Sequence, residues 1–247
     1  MRKWIYILGL VVFACNSENA NDCFQTAGAT IQQTVEVSSF ERILVNRDIE
    51  LIIKEAPNYA VTIETGANLL NDVAVEIIGD QLVLTDYNSC NFVRDYGITK
   101  IYVEAPNLKE IRSSTQYDIS SDGVLNYENL SLLSEDYNGG SVFTIGDFRL
   151  QVVSEQLDII ANNLSFFYIQ GTVTNLSVGF FAGSSRFEGE QLIAQHVSVS
   201  HRSSNDMRIN PQATLTGQIR GTGDVISVNQ PPVVDVAILY TGQLFFE

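Results

Sequence analysis

Apolar and polar residues alternate at every second position along most of this chain, and the three-to-four spacing of an amphipathic helix is almost absent. Such a chain has to bury itself as strands. Thr34–Val37, Phe40–Val45, Ile49–Lys54, Tyr59–Glu64, Val73–Ile78, Gln81–Thr85 and Thr99–Glu104 read as a succession of them. Gly79-Asp80 separates VEII from QLVLT with Gly first, which suits a two-residue type II′ hairpin. Leu69-Leu70-Asn71 reads as a short helical turn.

From about residue 108 a repeat takes over. Leu108–Ile111, Leu130–Leu133, Leu150–Val153, Leu176–Gly179, Val197–Ser200 and Leu215–Ile219 begin at steps of 22, 20, 26, 21 and 18 residues. A second short strand trails each: Ser141–Ile145, Phe166–Ile169, Ser185–Glu188, Asp206–Ile209 and Asp224–Val228. Two short strands and polar corners recurring near 20 residues predict a right-handed parallel β-helix, a solenoid whose coils bury their apolar sides only by stacking. An antiparallel sandwich or barrel is the rival, although its strands would recur every 8–12 residues. The expected fold is all-β. A strand-rich N-terminal part spans 34–107, solenoid coils span 108–232, and a C-terminal strand cap over 233–247 packs Tyr240, Phe245 and Phe246.

The first residues carry an address. Arg2 and Lys3 precede an unbroken apolar run, Trp4–Ala14, whose eleven residues are too few to span a bilayer. The run ends in Val12-Phe13-Ala14-Cys15, which resembles a bacterial lipobox. The expectation is a signal peptide over 1–14, a lipid-modified Cys15 and an acylated polar tether over 15–33. Two or three acyl chains hold a protein to a membrane where one is marginal. The membrane is thus an expected partner, and the expected location is the cell envelope, at the outer membrane.

Loss of Arg2 and Lys3 takes the formal charge from −15 to −17, with 12 basic residues against 29 acidic. That balance argues against nucleic acid as a partner. With Cys15 lipidated, Cys23 and Cys90 remain in an oxidising compartment and are expected to form a disulfide.

Several stretches resemble a known family. FERILVNRDIELIIKEAPNYAVTIETGANLL, GDQLVLTD, NSCNFVRDYGITKIYVEAPNLKEI and PPVVDVAILYTGQLFFE are similar to the head GIN domain, also called the auto-transporter adhesin family. The likeness runs over roughly residues 23–247. It implies a right-handed β-helical fold and places Cys23 and Cys90 at paired positions, but brings no catalytic residues. The pattern of a membrane barrel, as an autotransporter would carry, is not found in these residues; lipid anchoring is expected in its place.

No nucleophile, phosphate-loop or metalloprotease motif is present, and neither a cofactor nor a metal site is expected. His196 and His201 read as surface residues on opposite sides of a strand. Glu135, Asp136 and Asn138 in a polar turn offer oxygens, but in no calcium-loop spacing. Stacking the last coils sets Arg202 over Arg220 and Asp206 over Asp224, a candidate polar groove. Followed back, the arginine column meets Phe181, Ser154, Ser134 and Arg112, so corner salt bridges between Arg and Asp are the plainer reading. Phe166, Phe167, Tyr168, Phe180 and Phe181 form a candidate binding patch, since neighbours on a strand alternate faces and at least one ring of each group should point outward. These features favour a non-enzymatic, adhesin-like binding module with a glycan or a protein at the cell surface as partner. A polysaccharide lyase-like enzyme and a purely structural envelope protein are the alternatives.

Overall fold

The computed structural model describes residues 22–88, 90–136 and 143–247. The signal at 1–14, Cys15, the tether up to residue 21, and Asn138 lie outside the described residues. The fold is all-β, and no described helix is long and apolar enough to cross a membrane.

The strands are β1 (Thr30–Val35), β2 (Arg42–Asn46), β3 (Ile49–Glu55), β4 (Ala60–Gly66), β5 (Val73–Ile78), β6 (Gln81–Asp86), β7 (Thr99–Ala105), β8 (Glu110–Ser114), β9 (Ile119–Leu125) and β10 (Asn129–Ser134). Then follow β11 (Phe148–Ala161), β12 (Phe166–Phe180), β13 (Arg186–His201), β14 (Met207–Ile219), β15 (Val225–Ser227), β16 (Val233–Ile238) and β17 (Leu244–Phe246). All belong to one hydrogen-bonded sheet. Its pairings are parallel except at one end, where β1–β4, β4–β7 and β5–β6 run antiparallel. The antiparallel sandwich is thereby excluded.

Two parallel ladders make up the body. In one, Phe148, Phe167, Phe187, Met207, Val225 and Leu244 stand in register, at steps of 19, 20, 20, 18 and 19 residues. In the other, Leu130, Leu157, Leu176, Val197, Leu215 and Val234 do so. Strands such as β2, β3, β7 and β11 send every second residue inward, and both ladders feed one apolar core. Leu150 therefore does not continue the Leu130 series: it pairs with Ile169 on the opposite ladder, and Leu157 takes its place. The trailing strands also differ from expectation. Those in β12, β13 and β14 run on into the leading strand of the next repeat as single strands of 15, 16 and 13 residues. The strand expected at Ser141–Ile145 begins outside the described residues, and the row in the ladder starts at Phe148. Within these long strands the pairing slips at Tyr168–Gly171, Glu188–Ile193 and Ala194–His196, where the chain passes from one ladder to the other.

The N-terminal strands enter the same ladders out of chain order. β2 lies between β6 and β8, and β3 between β7 and β9. β5 folds back on β6 through Gly79-Asp80, where Gly79 has φ 67° and Asp80 keeps the usual sign, as the type II′ reading requires. The short turn expected near Leu69 is a 3-10 turn at Leu70–Asp72. At the far end β16 and β17 extend the ladders by one more row. They do not fold across it: Tyr240 is 61% exposed and Phe245 49%.

Candidate functional site

The clearest cleft lies on the outer face of the Phe148 ladder and has a volume of about 300 Å³. Unequal strand lengths create it. β11 and β12 run in unbroken register from Phe148–Phe167 to Ser154–Val173 and form its floor. On one side β9 carries extra residues after Ser120, and on the other β13 carries extra residues after Glu188. These bulges raise two walls beside two flat strands. The lining includes Ser121, Gln151, Tyr168, Gln170, Glu190 and Gln191. Gln151 and Gln170 are register partners, so their side chains leave the same face of neighbouring strands.

Charge along this face is organised by the same stacking. Ser120, Arg149, Tyr168, Glu188 and Arg208 occupy one outward column. The Arg149 guanidinium lies over the Tyr168 ring, 4.1 Å from its centroid, and donates to Asp118 at 2.7 Å and Asp147 at 3.0 Å. Arg208 donates to Glu190 at 2.7 Å and Glu247 at 2.6 Å, and those two carboxylates hold it still further in its charged form. Exposed pairs of this kind contribute about 0–1 kcal/mol each. Their effect here is to fix side chains around the cleft.

Residues 39–231 match the family model described as "Putative auto-transporter adhesin, head GIN domain". The chain belongs to this family. Among solved structures it is similar to a "putative adhesin" from Bacteroides fragilis NCTC 9343, at 17% identity and TM-score 0.79, over 90% of this chain and 99% of that one. It is also similar to a "putative adhesin" from Parabacteroides distasonis ATCC 8503, at 12% identity, TM-score 0.65 and coverage of 90% and 99%. A "putative lipid binding protein" from the same organism matches at 14% identity, TM-score 0.61 and coverage of 89% and 97%. At such identities the likeness is one of fold. No curated protein matches in sequence.

Within this head GIN domain the aromatic patch is divided. Phe167 and Phe180 are fully buried core residues with ring centroids 5.8 Å apart. Phe166 and Tyr168 are half-buried on the outer face of the Phe148 ladder, and only Tyr168 lines the cleft. Phe181 is 50% exposed but sits at a corner of the opposite ladder, over Gly179. Rings of both groups face outward, Phe166 and Tyr168 from the first and Phe181 from the second, but on different surfaces.

The four polar residues sit at row corners, away from the Tyr168 cleft. Backbone contacts place Arg202 and Arg220 in equivalent corner positions, behind Phe181 and Asn162 rather than Ser154. Both arginines are exposed, and neither makes an ion pair among the described residues. Arg220 donates instead to Gln218 at 3.0 Å. Asp206 accepts the backbone N–H of Asp224 at 2.9 Å, and Asp224 accepts that of Gln243 at 2.8 Å. The aspartates thus hold one row to the next through the main chain, where the sequence reading expected Arg–Asp bridges.

His201 is the other correction. It is completely buried beside Phe180, and neither ring nitrogen has a partner in hydrogen-bonding geometry. Burial lowers its pKa, opposed in part by the carboxylates of Asp206 and Asp224 and by the nearby backbone of Gly223 and Asn205. His196 is exposed, as expected, with Nδ1 3.0 Å from Thr214 Oγ1. Glu135 pairs with Arg112 at 3.4 Å. Cys23 and Cys90 are joined by a disulfide.

Proposed function

We propose that this head GIN protein is an exported, lipid-anchored binding module of the cell envelope, held at the outer membrane through Cys15. Its stacked rows form a right-handed parallel β-solenoid that acts as a rigid post for the cleft around Tyr168. The ligand is a neutral glycan segment. The observation that carries this reading is the composition of the cleft: one aromatic ring and the paired amides of Gln151 and Gln170, with Gln191 and Ser121 on its walls. Amides and hydroxyls both donate and accept, as sugar hydroxyls require. Glu188 and Glu190 in the same cleft, on a strongly acidic chain, oppose a polyuronate. The family and two of the similar structures bear adhesin names, in keeping with binding.

Glycan-array binding by the purified protein tests the reading. Neutral oligosaccharides are expected to bind, Tyr168→Ala and Gln170→Ala to weaken that binding, and Arg220→Ala to leave it unchanged. Binding that is indifferent to Tyr168→Ala would sink the assignment. Mass measurement of the mature N-terminus tests the anchor separately.

A further inference from the structure

The loop between β6 and β7 is built to hold apolar side chains out into solvent. Phe92 is 72% exposed, Val93 51% and Tyr96 76%, and Phe24 beside them is 53% exposed. The loop itself is firmly tied. Asn91 Oδ1 accepts the N–H groups of Val93 at 3.2 Å and Arg94 at 2.9 Å, and its Nδ2 donates to the Arg94 carbonyl at 2.7 Å. Arg94 reaches back to the carbonyls of Cys90 at 3.0 Å and Gln25 at 3.2 Å. Side chains on a turn closed in this way do not collapse inward; the backbone holds them out.

The same loop is where the described chain begins. The Cys23–Cys90 disulfide joins the two, the Phe92 N–H donates to the Cys23 carbonyl at 2.9 Å, and the rings of Phe24 and Phe92 lie 5.7 Å apart. Cys15 precedes Asp22 by seven residues, a span of about 25 Å at most when fully extended. Whatever holds Cys15 therefore holds this loop close by.

From that juxtaposition we propose that Phe24, Phe92, Val93 and Tyr96 form a membrane-contacting foot that seats in the interfacial layer of the bilayer carrying the anchor. The proposal rests on the lipid-anchor reading of Cys15. Aromatic side chains favour the boundary between headgroups and acyl chains. With 29 acidic against 12 basic residues after loss of Arg2 and Lys3, the anchored chain gains little from anionic headgroups, so its contact is with the apolar boundary of a zwitterionic surface. The foot belongs to the row of β6 and β7, at the opposite end of the ladders from β16 and β17. The molecule then stands upright, its last row away from the lipid.

The only tryptophan is Trp4, so the full chain with Trp4→Phe and Phe92→Trp carries a single reporter in the foot. A Trp4→Phe, Phe245→Trp chain carries one at the far end. Each is exported, purified and reconstituted into phosphatidylethanolamine–phosphatidylcholine vesicles with and without brominated acyl chains. The foot reporter is expected to shift to the blue and to lose most of its emission to bromine, and the far-end reporter to do neither. Quenching of both, of neither, or a blue shift without quenching overturns the proposal, the last because it marks a protein cover instead. The mass of the mature N-terminus separates the two readings. A lipidated chain with an unquenched foot defeats the foot alone, and an unlipidated chain whose foot is quenched defeats the anchor alone.

Discussion

Phe148 and Phe167 lie ring on ring across two adjacent rows, centroids 4.8 Å apart and planes within 9° of parallel. They are register partners on β11 and β12, and both are fully buried. Parallel in-register stacking imposes this contact, because identical inward positions of successive rows must meet. Phe167 also touches Phe180 from the opposite ladder, so one ring ties both walls of the core. Phe167→Ala is expected to lower unfolding stability by about 3–5 kcal/mol, read from the urea midpoint at unchanged slope.

Gly171 has φ 123°, and a Cβ there would lie 2.0 Å from the Val152 carbonyl oxygen on the neighbouring row. Gly79 also has positive φ, but a Cβ there would meet nothing within 4 Å. Gly79→Ala should therefore cost only the backbone preference, about 1–2 kcal/mol. Gly171→Ala should cost more, because it adds a steric collision inside the ladder. Thermal unfolding of the two variants side by side checks the order.

The Cys23–Cys90 disulfide closes a loop over a sequence separation of 67. On the chain-entropy model it contributes about 4 kcal/mol. The double variant Cys23→Ser, Cys90→Ser should lose about that much, and the wild type should lose it on reduction; urea unfolding with and without a reductant compares the two.

Alternation, the hairpin at Gly79-Asp80 and the near-20-residue repeat were all legible in the sequence, because each is a local property of the chain. The registers between rows were not. Leu150 and Leu157 are equally good inward residues seven positions apart, and only the partner row decides which follows Leu130. For the same reason the cleft at Tyr168 could not be read: it exists through a difference in strand length between β9, β11, β12 and β13. The polar run Glu188–Gln191, interrupting the alternation of β13, was the one signal of it. His201 was misplaced because a histidine at an inward position looks no different in sequence from one at a corner.

His201 carries a pH prediction. Its pKa lies below the ordinary 6.5 because the charged ring would be buried. The unfolded chain then binds more protons than the folded one, so this contribution to stability is whole above about pH 6.5 and is lost as the pH falls from there toward the folded pKa. His201→Phe should flatten the dependence over that window. Urea midpoints between about pH 5 and pH 8 measure it. Asp86 acts with the opposite sign at lower pH. Burial raises its pKa above 3.8, so its contribution is whole below that value and falls as the pH rises through the folded pKa.

The placement of β2 between β6 and β8, and of β3 between β7 and β9, bears on the order of folding. A ladder laid down from the N-terminus would grow at its free edge, one row after another. Here the earliest row acquires its second neighbour only when β8 and β9 arrive, so the pioneer strands wait with one flank bare until Leu125 has emerged. Such delayed closure raises contact order and slows folding, and a bare flank invites pairing with another chain. During synthesis, this stretch would be the part most in need of a chaperone's cover.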